Sequence, residues 1–137
     1  MNAVRFLDPN VLLYAYDLDA PAKRKVALRL VEQGLSGSGD TAISVQVLQE
    51  MHVNLVKQGV TRSEASQIIR DCARLPVVDN TLDLLLCALE EQARWKISLW
   101  DALILAAARA SGASELFTED LNDGQDYGGI RVINPFR

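Results

Sequence analysis

Four acidic residues stand where a folded α/β chain could use them for chemistry, and they are Asp8, Glu50, Asp101 and Asp120. Two of them, Asp8 and Asp120, follow short apolar segments, and the other two lie in helical patterns. Carboxylates that converge from distant parts of a chain repel one another, so such a cluster needs cations. Oxygen ligands without His or Cys favour Mg²⁺, or alternatively Mn²⁺. These ions activate water and stabilise charge on a phosphoryl group.

Each acid also has a purely structural interpretation. Asp8 can cap the helix that follows it. Asp101 stands three residues after Ser98, which is capping-box spacing, and Asp120 can form a turn. Glu50 can lie at a solvated helix edge, although a Glu among apolar helix neighbours is costly unless it is paired. Taken singly, the structural interpretation is favoured for every acid except Glu50, so the case for chemistry depends on the four acids meeting.

Short apolar segments alternate with helical patterns along the chain. They predict strands at residues 4–7, 41–44, 75–78, 115–118 and 130–133, and helices that begin near residues 9, 21, 45, 61, 81 and 98. This alternation indicates a three-layer α/β/α sandwich with a central, mostly parallel sheet. Neither a repeat nor a linker is visible, so one domain over residues 1–137 is expected. The helices exceed what the strands need, which makes two of them candidates for a protruding hairpin.

The composition restricts the function classes. One His and two Cys without C-x-x-C spacing disfavour a zinc site and a His-based triad, and reduced thiols in a cytoplasmic protein are expected. No apolar run approaches the roughly 20 residues of a membrane span, and the start lacks a secretory signal pattern. The net charge of −4 opposes nucleic-acid binding. With four of the 18 acids at a cation, however, the other 14 balance the 14 basic residues.

Four further features are assigned structural roles. The glycine-rich segment 34–39 follows a helix rather than a strand, which disfavours a phosphate loop and predicts a flexible connector. The basic cluster at residues 23–25 and 29 is expected to be a solvated helix face, with contact to RNA phosphates as the alternative. Trp100 is expected to pack in the core rather than to stack on a base, and His52 is expected on a helix surface.

Four segments that contain the acids resemble the motifs of a PIN domain, in the order that this family shows. They are FLDPNVL at residues 6–12, SVQVLQE at 44–50, SLWDALI at 98–104 and TEDLN at 118–122. The resemblance covers nearly the whole chain. Within the family it is nearest to the VapC type of ribonuclease toxin from bacterial toxin–antitoxin pairs, to which the ending RVINPF at 131–136 is also similar.

The resemblance implies a Mg²⁺-dependent endoribonuclease that hydrolyses RNA phosphodiester bonds. By match to the motifs, Asp8 and Asp101 are direct metal ligands, and Glu50 and Asp120 complete the acidic site directly or through water. The polar residues that match positions orienting the carboxylates are Asn10, Ser98 and Thr118. One departure is Pro9, where the family usually has Thr or Ser, because proline removes a hydroxyl and a backbone N–H near the metal.

The resemblance further implies an antitoxin protein as partner, a homodimer, and products with 5′-phosphate and 3′-hydroxyl ends. The alternative function is a catalytically weak PIN-like module that binds RNA or a partner without cutting. A phosphatase-like hydrolase with Asp8 as nucleophile is disfavoured, because it needs a second Asp two positions later, where this chain has Asn10.

Overall fold

The computed structural model describes residues 3–137, and these residues build a five-stranded sheet. In chain order the strands are β1 (Arg5–Leu7), β2 (Thr41–Ser44), β3 (Val77–Val78), β4 (Glu115–Phe117) and β5 (Arg131–Ile133). Their order across the sheet is β3-β2-β1-β4-β5, and every pairing of neighbouring strands is parallel. The predicted, mostly parallel sheet is therefore confirmed, and its five strands all run in one direction.

Within residues 3–137, six helices connect the strands. They are α1 (Pro9–Tyr14), α2 (Pro21–Leu35), α3 (Val45–Lys57), α4 (Arg62–Cys72), α5 (Leu82–Trp95) and α6 (Leu99–Ala110). The chain moves outward from β1 through β2 to β3 and then returns to β4, next to β1. Because parallel crossovers are right-handed, the return places α5 and α6 on the opposite face from α1–α4. The result is the predicted α/β/α sandwich. None of these helices combines the length and hydropathy needed to cross a bilayer.

Side-chain caps fix where several of the helices begin. The hydroxyl oxygen of Ser44 accepts a hydrogen bond from the Val47 N–H at 3.2 Å, at the start of α3. Thr61 and Thr81 cap α4 and α5 in the same way. Such bonds satisfy N–H groups that the first turn of a helix leaves without a partner. They depend on residues three positions apart, which is why the sequence predicts these helix starts closely.

The core is densest around α6, whose residues are apolar on nearly every side. Ala102, Leu105 and Ala107 are completely buried, and α6 contacts β2 and β4 as well as α5. A helix without a polar face is expected to be covered all round. The helices α5 and α6 follow one another through a short loop and pack together, as expected for a helical hairpin.

Gly34 lies in α2 and is buried, which corrects the expectation of a flexible connector over residues 34–39. A Cβ atom at this position would stand 2.7 Å from Leu75 Cδ2 and 3.1 Å from Thr41 Cβ. The missing side chain therefore lets α2 approach β2 and the segment before β3. The chain turns only after Leu35, where α2 ends.

Candidate active site

A recess of about 420 Å³ is lined by the loops that follow β1 and β4 and by α3 and α6. Asp8 directly follows β1 and Asp120 lies in the loop after β4, while Glu50 comes from α3 and Asp101 from the first turn of α6. Parallel strands present their carboxyl ends at one edge of the sheet, where α/β folds form binding crevices. The structure thus brings all four acids that the sequence singles out into one recess.

Asp8 is both a helix cap and a deeply buried acid. The residue is only 2% exposed. Its Oδ1 atom accepts a hydrogen bond from the Val11 N–H at 3.0 Å, and its Oδ2 atom accepts one from the Thr118 hydroxyl. Burial raises the pKa of Asp8 from 3.8 to about 7, although both hydrogen bonds act in the opposite direction. Helix capping alone does not explain why the carboxyl group of Asp8 lies where burial makes its ionisation this costly.

Glu50 and Asp120, which share the recess with Asp8, also lose part of their tendency to ionise. Burial raises the pKa of Glu50, and the charges of Asp120 and Asp101 add to the rise. Burial raises the pKa of Asp120 as well, with the charge of Asp101 adding to it. No Lys, Arg or His among residues 3–137 lines the recess. The acids therefore oppose one another's ionisation, and a bound cation would reverse that effect.

The three polar residues expected to support the acids each contact one of them. Asn10 Nδ2 donates to Asp120 Oδ2 at 3.2 Å. The Thr118 hydroxyl, which donates to Asp8, also accepts a hydrogen bond from the backbone N–H of Asp120 at 3.0 Å. Ser98 caps α6 by accepting a hydrogen bond from the Asp101 N–H at 3.1 Å. Asn10 and Thr118 therefore contact carboxylates through neutral donors, whereas Ser98 contacts only the backbone of Asp101.

Pro9 lines the recess and occupies the first position of α1. Its fixed φ suits a first helical residue, and the N–H it lacks would have no partner within the helix. The residue therefore fits the fold at this point. Its consequence is chemical, because the recess has neither a hydroxyl nor a backbone donor beside Asp8 at this position.

The donor set of the recess suits a hard divalent cation. Carboxylate oxygens without His or Cys are the ligands that Mg²⁺ and Mn²⁺ prefer, and the mutual repulsion of these acids gives the electrostatic reason to bind one. In the described part of the chain, however, no three His, Cys, Asp or Glu side chains are arranged as a ready metal site. Mg²⁺ usually keeps several of its waters and binds through only one or two carboxylates, so a smaller set of these acids is enough to hold it.

Comparison with known proteins assigns the family. The family model described as PIN domain matches residues 5–122. The chain belongs to the PIN domain family. It is also 30% identical over 141 aligned residues to Ribonuclease VapC24 of Mycobacterium tuberculosis (strain CDC 1551 / Oshkosh), and the match covers 94% of each chain. The resemblance to PIN domains of the VapC type, stated on the four motifs, is confirmed.

Solved structures share the PIN fold. VapC20 of Mycobacterium tuberculosis, described as a sarcin–ricin loop cleaving toxin, is 25% identical with a TM-score of 0.67, covering 85% of this chain and 91% of that one. A toxin–antitoxin complex from Klebsiella pneumoniae matches at 23% identity and a TM-score of 0.66, and the match covers 96% of this chain and 97% of that one. DNA-bound VapBC from Salmonella typhimurium matches at 17% identity and a TM-score of 0.68, and the match covers 95% of this chain and 96% of that one. The last two show the fold alone.

Trp100, in the third PIN motif, lies at the rim of the recess, so the prediction that it packs in the core is wrong. The residue is 63% exposed. It is the second residue of α6, in the turn that reaches the recess, and the continuous burial of this helix begins farther along, from Ile104. Residue type alone suggested burial, whereas its place at the helix end decides exposure.

Gln46 is a site residue that sequence reasoning missed. It is buried, lines the recess, and donates from Nε2 to the carbonyl oxygen of Trp100 at 3.4 Å. It also favours the ionised form of Glu50 and so partly offsets the rise of that pKa. The signal was present, because residues four apart on a helix are neighbours on one face.

The basic cluster on α2 is not simply a solvated face. Lys23 Nζ donates to Glu119 Oε2 at 2.7 Å and to the Tyr14 hydroxyl oxygen at 3.1 Å. Burial alone would raise the pKa of Glu119, but Lys23 and Tyr14 hold it below its usual value. Lys23 thereby ties α2 to the residue next to Asp120. The predicted solvated face agrees with the exposed positions of Lys25 and Arg29 but not with the contacts of Lys23.

The remaining sequence expectations concern His52 and the cysteines. His52 is half-buried on α3, in partial agreement with a surface position. Cys72 is buried and Cys87 exposed, and both are free thiols.

Proposed function

We propose that this PIN domain is a Mg²⁺-dependent endoribonuclease and the toxin of a toxin–antitoxin pair. The observation that carries the proposal is the convergence of Asp8, Glu50, Asp101 and Asp120 on one recess, where none of the described residues places a cationic side chain. Burial and repulsion raise the pKa of three of them. Such perturbed acids in a cleft are typical of functional sites. The relative named Ribonuclease VapC24 supports the choice of RNA as substrate.

In this proposal Asp8 and Asp101 hold the cation, and Glu50 and Asp120 complete its surroundings directly or through water. When bound, Mg²⁺ or Mn²⁺ supplies activation of water and stabilisation of negative charge on the phosphoryl oxygens during hydrolysis. The chain itself orients the acids, through Thr118 on Asp8 and Asn10 on Asp120. The products have 5′-phosphate and 3′-hydroxyl ends.

The experiment is cleavage of a structured RNA by the purified protein with Mg²⁺, with Mn²⁺ and with excess EDTA. We expect cleavage with either cation and none with EDTA. Asp8→Asn and Asp101→Asn should each abolish both cleavage and Mg²⁺ binding measured by calorimetry. Asp19→Asn, which changes an exposed acid between α1 and α2, is the matched control and should behave like the wild type. Variants of Asp8 and Asp101 that cleave as well as the wild type would refute the assignment.

The alternative function is an RNA- or partner-binding module that does not cut. It is favoured by Pro9, which removes polar groups from the recess, and by the described acids not being gathered as a ready metal site. A wild-type protein that binds RNA but leaves it intact with either cation would select this alternative over the nuclease.

The proposal includes an antitoxin partner and a homodimer. Two exposed leucines of α5 lie outside both the acidic recess and the recess beside it, namely Leu86 at 50% and Leu89 at 45% exposure, and they stand three positions apart on the helix. A contiguous apolar surface of this kind is typical of protein interfaces. Two of the structural relatives are toxin–antitoxin assemblies. We expect sedimentation to report a dimer that Leu86→Asp converts to monomers, and co-expression with the cognate antitoxin to suppress RNA cleavage.

A further inference from the structure

Trp100 stands between two recesses. It lines the acidic recess and also a second recess of about 340 Å³ that adjoins it on the side of α5. Its ring is the only tryptophan surface in either lining among the described residues, and the residue is 63% exposed. It directly precedes Asp101 in the chain. A large aromatic surface thus faces solvent at the edge of the acids that are proposed to cut RNA.

The second recess differs from the acidic one in its chemistry. No charged residue of the described chain lines it. Its polar groups include the amides of Gln49 and Asn80, and Asn80 Nδ2 donates to Gln49 Oε1 at 3.3 Å. Leucines such as Leu82 and Leu85 form its apolar part. Amides offer a donor and an acceptor together, which matches the edge of a nucleobase, and they carry no charge that would attract a phosphate.

Charge gives a further reason to look for contacts with bases. The acidic recess is lined by four carboxylates and by no positively charged side chain of residues 3–137. Proteins usually gain affinity for nucleic acid from Lys and Arg on the phosphates, and the nearby Lys23 is paired with Glu119 and does not line this recess. Stacking of bases on aromatic rings is the other general source of affinity, and it needs no charge.

Resting on the proposed nuclease function, we propose that Trp100 stacks on an unpaired nucleobase next to the cleaved phosphate. The adjoining nucleotide then enters the second recess, where Gln49 and Asn80 contact the edge of its base. The face of a base is accessible only where the RNA is unpaired and unstacked.

The test measures binding of a short single-stranded 2′-O-methyl oligoribonucleotide, which resists cleavage, to the full chain in Mg²⁺ by fluorescence anisotropy. Loss of one base–aromatic stack corresponds to roughly a 5- to 150-fold change in affinity. Trp100→Ala should weaken binding within that range, and Trp100→Phe should retain most of the affinity. Leu18→Ala, at a residue 79% exposed, is the matched control for loss of exposed apolar surface and should have no effect.

An oligonucleotide of the same backbone that lacks bases separates stacking from other roles. It should bind the wild type and Trp100→Ala equally, and a duplex of the same sequence should bind both weakly. Equal affinity of wild type and Trp100→Ala for the base-containing strand would overturn the inference. So would an altered sedimentation of the free Trp100→Ala protein with unchanged RNA affinity, because the ring would then belong to a protein interface.

The two proposals fail in different ways. A wild type that binds RNA through Trp100 but does not cut it with Mg²⁺ removes the nuclease and keeps the stacking site. A wild type that cuts RNA, together with a Trp100→Ala variant of unchanged affinity and KM, removes the stacking site and keeps the nuclease. Unfolding curves of the Trp100 variants that match the wild type exclude a folding defect as the cause of lost binding.

Discussion

The acidic recess and the cluster around Arg109 differ in how their carboxylates are paired. Glu91 accepts hydrogen bonds from Arg109 at 2.7 Å from Nε and 3.2 Å from Nη2, and a third from Trp95 Nε1 at 2.8 Å. Arg109 also donates to the carbonyl oxygens of Tyr127 and Gly128, both at 2.9 Å. One guanidinium therefore joins α5, α6 and the turn before β5, with its charge matched by a carboxylate.

The recess has carboxylates of the same chemistry without such a partner. Asp8 receives hydrogen bonds only from neutral groups, and burial raises its pKa to about 7. The Arg109 cluster uses paired charges to hold the fold together, whereas ionisation of the unpaired acids in the recess lowers the stability of the fold. Such an arrangement is expected of a site that depends on a cation from outside the chain.

The largest expected effect is a gain of stability when the charge of Asp8 is removed. A folded-state pKa of about 7 lies above the unfolded value of 3.8, so the folded state binds more protons between these values. The contribution of Asp8 to stability is fully present below its unfolded pKa of 3.8 and is lost as the pH rises through its folded pKa of about 7. In EDTA, the free energy of unfolding of Asp8→Asn relative to that of the wild type should therefore rise by on the order of 3 kcal/mol as the pH increases from 5 to 8.

Urea unfolding of both proteins at several pH values measures this difference. Asparagine is a good substitute because it also caps helices. The control is Asp19→Asn, whose exposed position predicts a change within about 0.5 kcal/mol at each pH. A difference between wild type and Asp8→Asn that stays constant from pH 5 to pH 8 would remove the contrast between the two clusters.

Mg²⁺ supplies the positive charge that the described residues of the recess lack. At pH 8, Mg²⁺ at 100 times its dissociation constant should stabilise the wild type by about 2.7 kcal/mol. Asp8→Asn should gain little, because it lacks one of the carboxylates proposed to hold the cation. Thermal unfolding with increasing Mg²⁺ measures the effect. An equal gain in both proteins would place cation binding elsewhere on the chain.

The third prediction tests the paired cluster. Arg109→Met keeps much of the apolar side-chain volume but leaves Glu91 and two carbonyl oxygens without their donor. Glu91 has a side chain only 11% exposed, so we expect a loss of about 2 kcal/mol in the free energy of unfolding. The stabilisation of this variant by Mg²⁺ should be unchanged. A loss of the Mg²⁺ response would show that the two clusters are not independent.

The smallest expected effect comes from the neutral support of the recess. Thr118→Val removes the hydroxyl that donates to Asp8 and accepts from the Asp120 backbone. Removal of this donor raises the pKa of Asp8 further, so stability in EDTA at pH 8 should fall by about 1 kcal/mol. Thr118→Ser, which keeps the hydroxyl, is the control. Urea unfolding of the two variants should separate them, and equal stabilities would deny the hydroxyl any part in supporting Asp8.

Local patterns predicted most of the fold. Caps such as Ser44 and Thr61 act on N–H groups three positions away, and short apolar segments mark the strands, so both can be found without the tertiary structure. The four acids were found because their motifs lie at predicted strand ends and helix starts. Gln46 could also have been predicted, since it stands one helical turn before Glu50.

The order of strands and helices, the helix caps and the identity of the acids can be found in the sequence alone, because they follow from residues within about one helical turn. Which side chains meet and which stay in water depends instead on how distant segments fold onto one another. The contact of Thr118 with Asp8 joins residues 110 positions apart, and the exposure of Trp100 depends on where α6 ends relative to the other layers. Burial and long-range contacts depend on the packing of whole elements, which no local pattern encodes.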